Sequence, residues 1–324
     1  MVGVVRAHEV GGPEVLRFED IEIGSPGPGQ ALIRQTAVGL NFIDVYFRSG
    51  LYPPPQLPFV AGQEGAGVVE AVGEGVGDVR VGQRVAYAGL LGAYAERRLI
   101  AADRLVPLPD GITDEQAAAM MLKGMTVQYL LRQTYRVQRG QTILFHAAAG
   151  GVGLIASQWA RHLGATVIGT VGSEAKAELA SAHGCTHVIR YDREDVVARV
   201  REITGGKGVP VVYDSVGQAT FARSLDCLAP RGMLVSFGQS SGKIPPVDLA
   251  ILSQKGSLYV TRPTLMTYTA ERADLLATAK ELFEVVQSGA VRILINQRFP
   301  LREAAEAHRA LESRRTTGST LLLP

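Results

Sequence analysis

The chain has little cysteine: only Cys185 and Cys227 occur among 324 residues. That is too few for a disulfide framework or for the four closely spaced thiolates of a structural zinc site. It also lacks a charge excess, since 33 Lys and Arg stand against 31 Asp and Glu, a net charge of +2. No broad basic field is on offer to nucleic acid or an anionic membrane, so any anion site has to be local. No uncharged apolar run approaches the roughly 18 residues that span a bilayer. Arg6, His8 and Glu9 stand where a secretory signal would be apolar, and a reducing, cytoplasmic setting is the expectation. The G-x-x-x-x-G-K-[ST] phosphate loop is missing, as is any Tyr followed four residues later by Lys, the pair of short-chain reductases.

Glycine, by contrast, is abundant. Its 37 copies in 324 residues make about 11%, against roughly 7% in an average globular chain, so many positions need tight turns or close backbone approach. The length exceeds one ordinary domain and predicts two lobes. From Val4 to about Leu108 the segments ALIRQTAVGL, GAGVVEAVG, QRVAYAG and YAERRLI cluster β-formers between Gly, Pro and charged turns. This half is expected to be an antiparallel, barrel-like β domain.

The run TDEQAAAMM predicts a helix from about Asp114 to Tyr135, with Thr113 as N-cap, Gln116 at the third position and acids in the first turn. From Gln141 onward the strands TILFHAA, ATVIGTVG, HVIRY, VPVVYDSVG, MLVSFG and SLYVTR are interleaved with helices such as VGLIASQWARHLG, SEAKAELASAHG and REDVVARVREITGG. Such βαβ units imply a parallel, doubly wound sheet. After Arg262 the regularity stops. The tail reads as a helix near 270–288, a strand near 293–299, a helix near 301–312 and a closing GSTLLLP strand. It is expected to return to the β lobe, giving a discontinuous catalytic domain of 1–122 and 265–324 around a nucleotide-binding domain at 123–264.

The strongest motif is HAAAGGVGLIASQWA at 146–160. An apolar strand ends near Ala147, the small residues Ala148, Ala149, Gly150, Gly151, Val152 and Gly153 make a loop, and a helix begins at once. Gly150 and Gly151 let the main chain approach a pyrophosphate, which the free N–H groups and positive dipole end of the helix favour, and Gly153 permits close helix-on-strand packing. Ala148 stands where the first fingerprint glycine belongs. The other glycine run, GEGVG at 73–77, leads into strand-like sequence and reads as a turn.

The choice of nicotinamide cofactor is read at the end of the second strand, where NAD proteins place an acid on the ribose 2′-OH. Here Gly172 and Ser173 follow TVIGTV, Lys176 lies one turn into the next helix and Tyr191 ends the third strand. Small backbone, hydroxyl, helix N-terminus and cation suit a 2′-phosphate, and NADPH is the expected cofactor. Glu174 opposes this reading unless, as a first-turn acid, it points to solvent. Ser215 to Gly217 and the turn Phe237, Gly238, Gln239, Ser240 follow the fourth and fifth strands and are candidate ribose and nicotinamide contacts.

His183, Cys185 and His187 in HGCTH are the one tempting metal cluster, but they span a helix–strand joint with nothing to order them on one face. His146 reads as a partly buried strand residue. A nicotinamide cofactor with neither metal nor Tyr/Lys dyad needs a substrate that is already electrophilic. Quinones and activated enones fit.

The segments VGGPEVLRFED, GLNFIDVYFRSGLYPPP, GQEGAG, LKGMTVQYLL, HAAAGGVGLIASQWA, VVYDSVG, LVSFGQSSG, QKGSLYVTRPTL and LESRRTTGSTLLLP cover nearly the whole chain. In them it resembles the zinc-free, NADPH-dependent quinone oxidoreductases, relatives of ζ-crystallin in the medium-chain dehydrogenase/reductase superfamily. The resemblance implies an α/β fold: a doubly wound Rossmann domain plus a mostly β, GroES-like barrel catalytic domain, with NADPH across the interdomain cleft. Zinc relatives carry ligands at the positions of Asn41 and Gln63 and in the Met125–Thr126 region; all are non-ligands here, which implies no metal. The resemblance puts Phe42, Ile43 and Asp44 at the nicotinamide end, and Tyr46 and Tyr52 beside the quinone with Asn41 and Thr126. It assigns Ser173, Lys176 and Tyr191 to the 2′-phosphate and Arg314 to a further cofactor contact. Phe237 to Ser240 and Pro263, Thr264 and Leu265 complete the cofactor groove. A homodimer through the last Rossmann strand, SLYVT, is also implied. Two other readings stay open: an NADPH-dependent 2-alkenal or enone reductase, and an NADPH-binding structural or RNA-binding protein of the crystallin kind. The near-neutral charge and lack of a basic aromatic stripe argue against nucleic acid as the main partner.

Overall fold

The computed structural model describes residues 1–324. The chain forms two compact units, Met1–Met125 with Tyr268–Gln287 and Ile293–Pro324, and Thr126–Thr267 with Ser288–Arg292. The first unit is thus built from separate stretches of chain. The division falls inside the helix Asp114–Tyr129, a few residues later than 122, where nothing in the sequence punctuates it.

The first unit is organised by the strand Gln30–Leu40, which buries Ala31, Ile33, Gln35 and Ala37 on alternate positions. A seven-stranded sheet runs in the order Ile295–Pro300, Ser319–Leu323, Gln30–Leu40, Glu64–Val72, Arg84–Ala88, Val106–Pro107, with Arg97–Ala101 also on Gln30–Leu40. Its pairs are antiparallel except the first, where the two tail strands run parallel. The tail therefore returns to the β lobe. A second sheet joins Leu16–Ile21, Val2–Ala7 and Phe59–Val60. Val5, Ile33, Val38, Val69, Val85, Tyr94, Leu105 and Leu322 share one core, each large aliphatic side chain contributing about 1.5–3 kcal/mol. The helix Ala304–Glu312 turns Ala304, Ala307 and His308 inward, the spacing of one helical face.

In the second unit six strands are all parallel, in the order His187–Arg190, Thr166–Val171, Thr142–Phe145, Val209–Asp214, Leu228–Ser236, Tyr259–Thr261. Numbered along the chain this is 3-2-1-4-5-6, the doubly wound nucleotide-binding order. The inner strands are near-continuous hydrophobic runs because helices cover such sheets on both faces. Tyr259–Thr261 pairs on one side only, and Tyr259 and Val260 are exposed.

The helix expected to reach Tyr135 is regular only to Tyr129, and Leu130–Thr134 widens into a π turn. The Leu130 carbonyl accepts from Tyr135 N–H at 3.2 Å and from Tyr213 Oη at 3.2 Å, which satisfies the widened turn.

Candidate active site

In the β lobe the site is built around Glu64, a fully buried carboxylate. It is admitted by Gly39, where a Cβ would lie 2.4 Å from Glu64 Oε2 and 2.2 Å from the Ala118 carbonyl. Glu64 Oε1 accepts from Leu122 N–H at 2.7 Å, and Oε2 accepts from Asn41 Nδ2 at 2.7 Å and Lys123 Nζ at 3.2 Å. Lys123 also donates to the Leu40 carbonyl at 3.3 Å. The segment that faces Glu64 is therefore Leu122–Lys123, whereas Met125 packs in the core and Thr126 is buried farther along the same helix. Gln63 is 4% exposed, and its Nε2 has no hydrogen-bond partner. Gly62 makes the turn before it at φ +82°, whereas Gly65 lies inside the strand. There a Cβ would strike Gln35 Oε1 and Tyr87 Oη at 2.4 and 2.6 Å.

This donor set does not fit zinc. Asn41, Leu122 and Lys123 present N–H groups to one carboxylate and Gln63 is an amide, so a divalent cation would meet an ammonium and lack thiolate or imidazole ligands. No three His, Cys, Asp or Glu gather as a cation site anywhere in the chain. In HGCTH, His183 Nδ1 is bonded to the Leu179 carbonyl and Cys185 Sγ lies 3.2 Å from Ser157 Oγ. Burial pushes the Cys185 thiol up to about 11, away from thiolate chemistry.

The helix Phe42–Arg48 starts from Asn41, whose N–H donates to Asp44 Oδ2 at 2.9 Å. Phe42 and Ile43 are half-buried, but the Asp44 carboxyl is 1% exposed and turned into the lobe, so its side chain serves the interior. Tyr46 contacts Phe42 and Tyr52 with ring centroids 5.9 and 5.2 Å apart, and Tyr52 N–H donates to the Tyr46 carbonyl at 3.0 Å. These rings form an aromatic patch beside Asn41, with tilted and edge-on geometry that stabilises such pairs.

In the second unit the glycine loop has its expected form. Gly150 caps the helix Gly151–His162 without a side-chain partner, leaving the first N–H groups, those of Gly151 and Val152 among them, free for an anion. A Cβ on Gly153 would lie 2.5 Å from the Ala147 carbonyl, whereas Gly150 has only that carbonyl at 3.3 Å. The first glycine is needed for packing, and the second leaves room for a ligand. Ser173 caps the next helix, its Oγ accepting from Lys176 N–H at 3.4 Å. Gly172 lies against Tyr191, whose Oη would be 2.3 Å from a Cβ there. Ser173 and Tyr191 thus flank Gly172, and Lys176 lies one turn into the helix that Ser173 caps.

Glu174 is an exposed first-turn acid, as expected, and it also has a partner. It pairs with Nη1 of Arg190, whose Nε and Nη2 bind Asp192, so the acid is partly neutralised by a cation at the end of the neighbouring strand. Arg190 was missed from the sequence, although a doubly wound sheet sets the ends of its second and third strands side by side.

Beneath the cofactor loops runs a buried polar spine that sequence reading also missed. His146 is not a partly buried strand residue but is 2% exposed. Its Nδ1 is 2.9 Å from Thr170 Oγ1 and its Nε2 3.0 Å from Ser224 Oγ. Burial lowers its pKa, keeping the ring neutral. Ser224 Oγ donates to Asp214 Oδ2 at 2.8 Å, and Asp214 Oδ1 accepts from Val216 N–H, Gly217 N–H and Thr220 Oγ1 at 2.8, 3.1 and 2.9 Å. The spine thereby fixes the Ser215–Gly217 turn. That turn in turn holds Phe237–Ser240: Ser240 N–H donates to Ser215 O at 3.1 Å, and a Cβ on Gly238 would lie 2.7 Å from the same oxygen. Residues 238–242, GQSSG, have hydrolase-elbow spacing, but an irregular stretch follows in place of a helix, so the elbow geometry is absent. Gln239 is buried, Arg262 donates to the Gly238 carbonyl at 3.3 Å, Pro263, Thr264 and Leu265 follow it, and Arg314 is an exposed residue at φ +58°. Taken together, the glycine cradle, the uncapped helix and the Gly172 corner fit NADPH.

A GroES-like lobe and a 3-2-1-4-5-6 parallel sheet carrying such a loop define a medium-chain dehydrogenase/reductase. Residues 27–110 match the alcohol dehydrogenase GroES-like domain and residues 151–281 the zinc-binding dehydrogenase family. The latter match lies outside the Asn41–Gln63 region, and its name carries no ligand into it. A quinone oxidoreductase of Pseudomonas aeruginosa is 61% identical over 315 residues, 97% of each chain. A 2-haloacrylate reductase of Burkholderia is 49% identical, covering 100% of this chain and 99% of its own. The crystal structure of Escherichia coli quinone oxidoreductase complexed with NADPH superposes with a TM-score of 0.98 at 52% identity, covering 99% of this chain and 100% of that one. The chain belongs to the quinone oxidoreductase family of the medium-chain dehydrogenases/reductases.

Proposed function

We propose that this protein reduces quinones at the expense of NADPH, without zinc. The observation that carries the reading is Gln63 Nε2, a buried N–H donor with no acceptor, next in sequence to a Glu64 carboxylate already engaged by Asn41 and Lys123. An electrophilic quinone needs donors for its developing oxyanion but no Lewis acid. The Escherichia coli relative crystallised with NADPH and the Pseudomonas aeruginosa quinone oxidoreductase support it.

NADPH, when bound, supplies the reducing equivalents, as hydride or as single electrons. The residues of this chain bind and orient. Gly150, Gly151 and Val152 take the pyrophosphate; Gly172, Ser173, Lys176 and Tyr191 take the 2′-phosphate, and Arg314 makes a further cofactor contact. Ser215, Phe237–Ser240 and Pro263–Leu265 hold the ribose and nicotinamide half, and Phe42 and Ile43 wall it. Asn41, Tyr46, Tyr52 and Thr126 position the quinone, whose flat ring suits the aromatic patch. The unpaired edge Tyr259–Thr261 joins two copies into a homodimer by continuing the sheet, which would cover Tyr259 and Val260. Two free, buried cysteines accord with the cytoplasm.

An enone reductase remains a second reading because the Burkholderia relative reduces 2-haloacrylate. Steady-state NADPH oxidation with benzoquinones, naphthoquinones, 2-alkenals and 2-haloacrylate separates the two. The proposal expects kcat/KM for a quinone to exceed that of every enone. Tight NADPH binding without quinone turnover would end it.

A further inference from the structure

Behind the helix Phe42–Arg48 lies a chain of buried groups from distant parts of the sequence. Arg48 is 2% exposed and forms a two-armed ion pair with Glu312, both contacts at 2.8 Å. Its Nη1 is also 3.2 Å from Nδ1 of the fully buried His308, whose Nε2 is 3.0 Å from Tyr94 Oη. Tyr94 Oη is 3.0 Å from Asp44 Oδ2, the oxygen that also accepts from Asn41 N–H. Asp44 Oδ1 is buried with no partner.

Hydrogen-bond chemistry gives this chain a direction. A guanidinium only donates, so His308 Nδ1 accepts; the one proton of a neutral ring then sits on Nε2 and is donated to Tyr94 Oη. The single phenolic proton is left for Asp44 Oδ2. Since arginine does not deprotonate in proteins, the chain carries no proton to the surface. It is a fixed row of donors ending on a carboxyl.

We propose that Tyr94 and His308 are positioning residues for the reduction, acting through Asp44 to hold the Asn41 turn where the helix Phe42–Arg48 begins. The ionised Asp44 is the holding form, because the Asn41 N–H and Tyr94 O–H bonds to Oδ2 become charge-assisted. The charged and titratable groups around it are Glu64 on its strand, Lys123 on the Asp114–Tyr129 helix, Tyr87 on the Arg84–Ala88 strand, Tyr94, His308 with Arg48 behind, and Glu312. Burial first of all, and then Glu64, raise the Asp44 pKa to about 7, against the lowering by Asn41, Tyr94 and Lys123. Burial, followed by the Arg48 charge, lowers His308 to about 3 and keeps it neutral. Asp44 therefore changes charge within the working range of a cytoplasmic enzyme.

The functional part rests on the quinone-reductase reading, so the test has two arms. The first follows the carboxyl carbon of Asp44 by NMR on full-length, 13C-aspartate-labelled protein without substrate, with D44N giving the assignment. The second records kcat/KM for NADPH-driven benzoquinone reduction against pH. Y94F keeps the ring that packs on Gly62 and removes one donor to the carboxylate, so both the Asp44 titration and the acid limb should move up by about one pH unit. H308L should do the same by leaving Tyr94 undirected. H308Q should restore wild-type values, because its Oε1 accepts from Arg48 and its Nε2 donates to Tyr94. An unmoved Asp44 titration in Y94F, or equal behaviour of H308Q and H308L, overturns the proposal. A moved titration with an unmoved acid limb overturns the positioning role. Absence of any quinone turnover overturns the functional reading, while the NMR arm still decides the donor chain.

Discussion

Replacing Asp44 by asparagine should change how stability depends on pH. In the native chain the Asp44 carboxyl is raised from 3.8 to about 7, so between those values the folded state binds more protons than the unfolded one. Stability from this group is therefore fully present below the unfolded value and is lost as pH rises through the folded one. Between pH 5 and pH 8 the loss comes to about 3 kcal/mol, at about 1.4 kcal/mol per unit. His308, lowered from 6.5 to about 3, acts in the opposite sense and gives back about 2 kcal/mol over the same interval. The two slopes nearly cancel, and the wild-type curve should look flatter than either group alone would make it. In D44N the amide carbonyl accepts from Asn41 N–H and Tyr94 O–H as Oδ2 does. The NH2 in the Oδ1 place finds no acceptor, a pH-independent penalty of about 1–3 kcal/mol. The His308 slope is then unmasked, so D44N should gain stability from pH 5 to pH 8. Urea unfolding of both proteins at the two pH values gives the answer. A wild-type minus D44N difference that is the same at pH 5 and pH 8 would refute a raised, buried Asp44.

Three further substitutions address other parts of the site. K176A should raise KM for NADPH about tenfold while leaving NADH nearly unaffected, since a charge-assisted phosphate contact is lost; steady-state kinetics with both cofactors checks it. S224A removes one donor from Asp214 and the acceptor of His146 Nε2, loosening the turn that holds Phe237–Ser240. KM for NADPH should rise several-fold, with kcat at saturation held and a stability loss of about 1–3 kcal/mol on urea titration. G62A puts a methyl group 2.0 Å from Tyr94 Cδ1 at φ +82°, and the denaturation midpoint should fall by the equivalent of about 3 kcal/mol.

The parts of the molecule that could be read in the sequence were local ones. Strand, glycine loop and helix follow one another within residues 142–162, so the dinucleotide cradle could be recognised without any long-range contact. The βα alternation likewise gave the parallel sheet. The interior of the β lobe was hidden because its polar chain joins Arg48 to His308 and Glu312, about 260 residues apart, and no local pattern pairs them. Asp44 shows the intermediate case. Asn41 and Asp44 stand at the N-cap and third position of a helix, a spacing that signals mutual capping, and that signal points the carboxyl inward, toward the helix start. Arg190, the partner of Glu174, was hidden for a similar reason: it is distant in sequence but adjacent in a doubly wound sheet. Lys123 stands in LKGMTVQYLL, but nothing local gives it a role, and only packing brings it to Glu64.

The most direct test of the central claim is turnover on metal-depleted protein. Chelator-treated enzyme of measured metal content is given NADPH and 1,4-benzoquinone, and NADPH oxidation is followed with hydroquinone formation. The account predicts one hydroquinone per NADPH at a rate unchanged by depletion and unaffected by added zinc. Activity that disappears on depletion and returns with zinc, or NADPH that is not oxidised by any quinone, would contradict it.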